Sequence, residues 1–131
     1  MIENFEDQTQ RLSDSEKQML PALVNLLQDR IGKQNAIKNY ALCKVLNETY
    51  NFSNKFNNAR IRKMINYIRN KGLVPRLMAT SDGYYVTTDS AELESFIRSL
   101  NGRIAAITKV RDSMVEQLKT FKKYEQITTS N

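Results

Sequence analysis

Basic side chains dominate the middle of this 131-residue chain. Between Thr49 and Ser81 there is no Asp or Glu, and residues 32–89 carry a net charge of +7 against +6 for the whole chain. The cationic residues of the acid-free stretch are Lys55, Arg60, Arg62, Lys63, Arg69, Lys71 and Arg76. A surface of one charge sign attracts a polyanion and releases its counterions on binding. The composition therefore predicts phosphate binding here, and a basic face that meets only solvent is the alternative interpretation.

The same inventory argues against catalysis. The chain has no His, which is the commonest general base and metal ligand. Its single cysteine, Cys43, can form neither an internal disulfide nor a zinc site by itself, and we expect it to be a small buried hydrophobe. No Gly-rich phosphate loop is present. We therefore expect no enzyme activity, no cofactor, no metal and no small-molecule substrate.

The apolar content of the chain gives a prediction of its location. No stretch approaches the roughly 20 apolar residues of a membrane span, and the polar start lacks the features of a signal peptide. A single cysteine suits a reducing compartment. The sequence thus predicts a cytoplasmic protein that does not enter a membrane.

Residues 1–12 are predicted to be a flexible leader before a first helix. Ser13 and Glu16 have capping-box spacing, and Gly32 is expected to end the helix. Pro21 interrupts this segment, so the helix is either kinked there or regular only from about Leu20. Its apolar stripe is Met19, Leu20, Leu23, Leu26, Leu27 and Ile31.

An extended piece at residues 36–38 leads to a second helix at residues 40–49. Asn39 is the predicted N-cap, and Leu42, Val45 and Leu46 are expected to point inward. A polar turn rich in Asn and Ser follows.

A third helix is predicted at residues 57–70, and Gly72 closes it. Its inner face is Ile61, Met64, Ile65 and Ile68. Its far side is Ala59, Arg62, Lys63, Asn66, Tyr67 and Asn70, with Arg60 toward one flank. Arg and Lys can pair with guanine, and Asn can pair with adenine. The expected DNA contacts are Asn58, Arg60, Arg62, Lys63, Asn66, Tyr67, Arg69, Asn70, Lys71 and Arg76.

Two short strands follow, at residues 76–80 and 84–88. The intervening residues 81–83 contain Asp-Gly, a strong hairpin signal, and Pro75 would begin the first strand. Tyr84 and Tyr85 take opposite orientations in a strand, so one is expected on the core and the other on the flanking helix.

A long helix is predicted at residues 90–122, with Asp89 and Glu92 in capping-box spacing and a disordered tail at residues 123–131. Its apolar residues alternate intervals of four and three, the rhythm of a coiled-coil seam. Arg111 occupies one seam position. The remaining seam residues, predicted to form a homodimer interface, are Leu93, Ile97, Leu100, Ile104, Ile107, Met114, Leu118 and Phe121. The alternative is that part of this helix packs on its own domain.

The order of these elements predicts a mainly α protein with a small β-hairpin. It is the order of a winged helix-turn-helix, here at residues 13–89, followed by the long C-terminal helix. The third helix of that arrangement enters the major groove of DNA.

Three stretches resemble small winged-helix proteins encoded by bacteriophages and prophages. They are residues 58–69 (NARIRKMINYIR), 72–75 (GLVP) and 79–85 (ATSDGYY). The resemblance covers roughly residues 15–110 and implies double-stranded DNA binding in phage transcription regulation or replication, within the bacterial host cytoplasm. The alternative hypothesis is a winged-helix protein-interaction module, a phage assembly or host-takeover factor that does not bind DNA. Binding to DNA would weaken steeply with salt, whereas a mostly apolar protein interface would not.

Overall fold

A computed structural model describes residues 11–129 of the chain. This part is mainly helical with one two-stranded antiparallel hairpin, as expected from the sequence. The α-helices are α1 (Asp14–Gln28), α2 (Asn39–Thr49), α3 (Asn58–Lys71) and α4 (Ser90–Thr129). The hairpin strands are β1 (Leu77–Thr80) and β2 (Gly83–Val86), and a short 3-10 helix covers Lys33–Asn35. The chain divides into two compact units, with the boundary between Leu93 and Glu94.

The start of α1 confirms the predicted capping box. The Ser13 hydroxyl accepts a hydrogen bond from the Glu16 backbone amide, and a Glu16 carboxylate oxygen accepts one from the Ser13 amide. Pro21 lies inside α1, which is helical from Asp14, so a regular start only near Leu20 is wrong. Residues 1–10 of the predicted leader lie outside the described residues. Leu12, which was assigned to the leader, is buried in the core instead.

The end of α1 differs from the prediction. The helix stops at Gln28, before Ile31 and Gly32, because sheet hydrogen bonds take over this part of the chain. The Arg30 carbonyl accepts from the Val86 amide at 2.7 Å, and the Gly32 amide donates to the Val86 carbonyl at 2.9 Å. Ile31 is therefore half exposed beside β2 rather than part of the helical stripe.

The hairpin has a third neighbour from the segment before α2. Ile37 exchanges two backbone hydrogen bonds with Tyr84, at 2.8 and 3.0 Å, which confirms the predicted extended piece. Gly83 has a φ of +119°, and a Cβ there would lie 2.5 Å from the Ile37 carbonyl oxygen. Only glycine fits this close backbone approach.

The strands are shorter than predicted. Pro75 and Arg76 lie in the turn before β1 and not in the strand. Arg76 has a φ of +62°, in the left-handed region, and its carbonyl accepts from the Thr87 amide. The turn between β1 and β2 consists of Ser81 and Asp82, because Thr80 pairs with Gly83.

The core joins α1, α2, α3 and the hairpin. Its innermost side chains are Met19, Leu23, Leu27, Leu42, Leu46, Ile61, Met64, Ile65 and Ile68. Val45 was expected among them but is 38% exposed, because the buried stripe of α2 runs through Leu42 and Leu46. Asn39 is the first residue of α2 and not its N-cap, and its side chain bonds elsewhere.

The helix α4 has 40 residues, which corresponds to a length of about 60 Å. Residues 123–129, predicted as a disordered tail, are helical, because no Gly or Pro interrupts the chain after Gly102. Residues 130–131 lie outside the described residues. The predicted second capping box does not form: Asp89 accepts from the Ala91 amide, and Glu92 accepts from Tyr85 and Thr87 instead. Tyr85 is thus the tyrosine that meets the flanking helix, and Tyr84 packs on the core.

Candidate nucleic-acid interface

The third helix is fixed at both ends and along one face. The Asn57 side chain caps its start by accepting from the Arg60 amide at 2.8 Å. Gly72 ends it in the left-handed conformation, with a φ of +66°. The four predicted inner residues Ile61, Met64, Ile65 and Ile68 are all buried. The opposite side of α3 is therefore held in a fixed orientation.

Two of the predicted DNA contacts face α1 instead of the outside. Lys63 donates to one carboxylate oxygen of Glu16 at 2.7 Å, and the Arg60 Nε donates to the other at 3.2 Å. Arg60 also donates to the Lys55 carbonyl at 2.6 Å. Glu16 is 4% exposed, so the two cations compensate a buried charge. We call Glu16, Arg60 and Lys63 the Glu16 cluster. The placement of Lys63 on the far side of the helix is thus wrong.

The electrostatics of the Glu16 cluster favour its ionised form. Burial raises the pKa of Glu16. The hydrogen bond and charge of Lys63, together with hydrogen bonds from Ser13, lower this pKa by more than burial raises it. The resulting pKa is about 2, against an ordinary value of 4.5. At neutral pH the cluster therefore holds α1 and α3 together through a charged contact. No local sequence pattern indicates the Glu16 cluster, because Arg60 and Lys63 are 44 and 47 residues away from Glu16.

The other predicted contacts of α3 remain outside its buried face. Four of them are exposed and three are half-buried. They are Asn58, Arg62, Asn66, Tyr67, Arg69, Asn70 and Lys71, which we call the outward side of α3. The Lys71 ammonium lies 6.0 Å from the centre of the Tyr67 ring, at the outer limit of a cation–π contact. No acidic residue occurs anywhere in α3.

The outward side of α3 continues toward α2 and the hairpin. The Tyr84 hydroxyl accepts from the Asn39 amide at 3.1 Å. Burial raises the pKa of Tyr84, while the Asn39 hydrogen bond and the charges of Arg62 and Arg69 oppose that increase. These two guanidinium groups therefore lie within electrostatic reach of the hydroxyl. The sequence carries no local signal for this neighbourhood, because Asn39 and Tyr84 are 45 residues apart.

Cys43 connects α2 to the start of α3. Its sulfur lies 3.7 Å from the Asn58 side-chain oxygen and 3.8 Å from that of Asn39. Burial raises the pKa of the Cys43 thiol, so the thiol is protonated at neutral pH. The residue is half-buried rather than fully buried, so the predicted burial is only partly confirmed.

The hairpin contributes less charge than α3. Arg76 is exposed in the turn before β1. Asp82 at the tip forms an exposed ion pair with Lys33 at 3.5 Å. The positive charge of Lys33 therefore offsets the negative charge of Asp82 at the tip.

The seam of α4 is largely uncovered in the single chain. Leu93, Leu100 and Ile107 are half-buried. The exposed members, each at least 48% exposed, are Ile97, Ile104, Met114, Leu118 and Phe121. Arg111 pairs with its neighbour Asp112 at 2.9 Å.

Residues 11–129 contain no group of three His, Cys, Asp or Glu side chains that could hold a metal ion. No helix in that range combines the length and the apolar character that crossing a membrane requires. The chain matches no protein-family model, no curated protein and no solved structure.

Proposed function

We propose that residues 13–89 form a winged helix-turn-helix domain that binds double-stranded DNA through α3. The element order supports this, with three helices followed by a hairpin. The backbone pairing of Ile37 with Tyr84 supports it further, because it adds a short third strand to the hairpin. In this proposal α3 is the recognition helix and the hairpin is the wing.

The observation that carries the proposal is the contrast between the two sides of α3. One side is apolar and fully buried, and the other presents Arg and Asn side chains with no acid in the helix. Arg62 suits the O6 and N7 atoms of guanine, and Asn66 and Asn70 suit the N6 and N7 atoms of adenine. Arg69 and Lys71 would contact phosphates, which fix the position of the helix without reading sequence.

The Glu16 cluster lowers the number of phosphate contacts that we expect, and so the salt dependence of DNA binding. Arg60 and Lys63 pair with Glu16, so the phosphate contacts that we expect are Arg69, Lys71 and Arg76. At a slope of about −0.9 per phosphate contact, three contacts predict a log–log slope of about −2.7 for each bound protomer. If Arg60 and Lys63 also bound phosphate, the slope would approach about −4.5.

The biological role that we propose is a phage-type transcription regulator or replication accessory in the bacterial cytoplasm. The support is the resemblance of residues 58–69, 72–75 and 79–85 to phage winged-helix proteins, together with the arrangement of α3 and the hairpin.

Fluorescence anisotropy with a labelled random-sequence duplex, at a series of salt concentrations, tests the proposal. The informative variant is Arg62→Ala, because Arg62 is exposed on the outward side of α3. The matched control is Lys109→Ala, which removes one exposed positive charge from α4. We expect Arg62→Ala to weaken binding by about fivefold to a hundredfold and Lys109→Ala to change it by less than about twofold.

The contrary result is absence of binding to any duplex at low salt, which would refute the proposal. Equal losses in the two variants would show attraction to net charge alone and would remove α3 as the DNA-reading element. A protein-interaction module would then be the better hypothesis, and its binding to a partner should be nearly independent of salt.

We also propose that the protein is a homodimer held by the seam of α4. The support is the exposure of Ile97, Ile104 and Leu118 in the single chain, at regular heptad positions. Replacing both Ile104 and Ile107 with Lys should make the protein monomeric in sedimentation velocity, while Lys109→Glu, off the seam, should not. An unchanged sedimentation coefficient in the double variant would exclude the seam as the interface.

A further inference from the structure

The charges on the seam of α4 distinguish the ways in which two copies can pair. Continuing the alternating intervals beyond Phe121 places Glu125 on the seam, 14 positions after Arg111. The seam therefore carries one positive and one negative side chain among apolar ones. Beside it, Glu94 and Lys122 lie on the same flank at opposite ends. All of these residues belong to the continuous helix Ser90–Thr129.

We propose that two α4 helices pair antiparallel. The two-fold axis crosses the pair at the level of Lys109, which itself lies off the seam. This inference rests on the self-association proposed above and adds its orientation and register. Residues at equal distances from Lys109 then face each other across the interface. Ile104 faces Met114 of the second copy, and Leu100 faces Leu118.

A parallel, in-register pair is disfavoured because each seam residue would face its own copy. Arg111 would meet Arg111, and Glu125 would meet Glu125, within an otherwise apolar seam. Two like charges in such a setting repel and lose hydration together. In the antiparallel register, Arg111 faces Ile107 and Glu125 faces Leu93, so no like charges meet. The long side chains of Arg111 and Glu125 can extend to the solvent at the edge of the seam.

The flanking residues favour the same register. Glu94 lies 15 residues before Lys109 and Lys122 lies 13 after it, so with this axis Glu94 of each copy and Lys122 of the other share a flank with an offset of about 3 Å along the helix. Long side chains can bridge that offset, which gives two ion pairs. The parallel arrangement places neither residue beside an opposite charge. A shift of the antiparallel register by one heptad in either direction separates Glu94 from Lys122 and shortens the overlap of the seams. The overlap of the apolar seams and the ion pairs between Glu94 and Lys122 therefore favour the same register.

Antiparallel and parallel pairs of α4 place the two Glu94 residues at very different distances. In the antiparallel pair, each Glu94 lies 15 residues from the level of the axis, on opposite sides of it. The two Glu94 residues would therefore be separated by the length of 30 residues, about 45 Å along the helix pair. In a parallel pair they would lie side by side, at about the 8–10 Å separation of packed helices.

Cysteine cross-linking tests the orientation. In a background with Cys43→Ser, two variants are prepared separately, Ile104→Cys and Met114→Cys, and each is oxidised alone and after mixing. We expect little cross-linking in either variant alone and a cross-linked species in the mixture, with about half of the dimers being mixed pairs. Disulfide formation requires nearby Cβ atoms, so only residues that face each other will react. Cross-linking of each variant alone would establish a parallel pair and overturn the inference.

Charge exchange gives an independent readout of the register. Glu94→Lys and Lys122→Glu, made singly, should each weaken the dimer by roughly fivefold, because each replaces two exposed ion pairs with two like-charge contacts. The two changes combined should restore the affinity. Failure of the combination to restore it, in a protein that still dimerises, would overturn this register. A protein that sediments as a monomer in every variant and in the wild type would instead refute the self-association on which the inference rests.

Discussion

Replacing Glu16 with Gln removes the negative charge beneath α3 and keeps the size of the side chain. The amide oxygen can still accept from the Ser13 amide, so the cap of α1 is retained. The charges of Lys63 and Arg60 lose the partner that lies 2.7 and 3.2 Å away. The change therefore isolates the charged contact between α1 and α3.

The magnitude follows from the pKa of Glu16. A decrease from 4.5 to about 2 corresponds to about 3 kcal/mol of stability at neutral pH, at 1.36 kcal/mol per pKa unit. Solvent screening reduces this little, because the Glu16 side chain is 5% exposed. For a unit of this size, 1 kcal/mol shifts the melting temperature by about 4–8 °C, so the melting temperature should fall by roughly 12–24 °C.

The pH dependence has a definite sign. Because the pKa of Glu16 in the folded protein lies below the ordinary value, its contribution is complete above pH 4.5 and is lost as the pH falls toward 2. The wild type should thus lose about 3 kcal/mol more than the Glu16→Gln variant over that interval. Urea unfolding followed by circular dichroism, at several pH values between 7 and 2.5, measures the difference.

The control is Glu48→Gln, since Glu48 is exposed on α2 and should contribute less than about 0.5 kcal/mol. Equal stability of wild type and Glu16→Gln at pH 7, or parallel pH profiles, would refute the reasoning. Under the DNA-binding proposal the folded variant should not bind duplex DNA more weakly. It should bind more tightly and with a steeper salt slope, because Arg60 and Lys63 are released.

Three further substitutions and one labelling experiment probe local packing in the described residues. Gly83→Ala should lower the free energy of unfolding by 2 kcal/mol or more in urea melts, because a Cβ would meet a backbone carbonyl oxygen at 2.5 Å. Gly102→Ala, with open space around the Cβ, should instead raise helix stability by up to about 1 kcal/mol, and a loss similar to that of Gly83→Ala would contradict the steric argument. Asn47→Ala should cost about 2 kcal/mol, because the Asn47 side chain bonds both backbone groups of Phe56; a change within about 0.5 kcal/mol would show these bonds to be dispensable. Cys43 should react with a thiol reagent more slowly in the folded protein than in urea at the same alkaline pH, since burial raises the pKa of its thiol; equal rates would count against that burial.

Local patterns in the sequence were enough to predict the helices and the hairpin. The capping box at Ser13, the inner face of α3 and the closing Gly72 are short-range features, and all are confirmed. The end of α1 was wrong because Ile31 continues the helical spacing, while the actual stop depends on hydrogen bonds to Val86. The residues of α1 and their near neighbours in the sequence do not indicate these hydrogen bonds.

The candidate interface shows the same limit. Sequence periodicity correctly separated the buried side of α3 from the outward side. It could not show that Lys63 turns toward Glu16, because helical angle alone placed Lys63 beside Asn66 and Tyr67. Periodicity also could not show that Tyr84 lies within electrostatic reach of Arg62, because this proximity depends on the folded hairpin.

The pairing of β2 with the segment around Ile31 and Ile37 has a consequence for the order of folding. These contacts join positions about 50 residues apart, whereas each helix and the hairpin turn form from neighbouring residues. Closing a long loop costs chain entropy that helix formation does not require. The helices and the β1–β2 turn can therefore gain structure early, and the three-part sheet closes after them. The surroundings of Tyr84, where α2, α3 and the hairpin meet, would be among the last parts of the molecule to form.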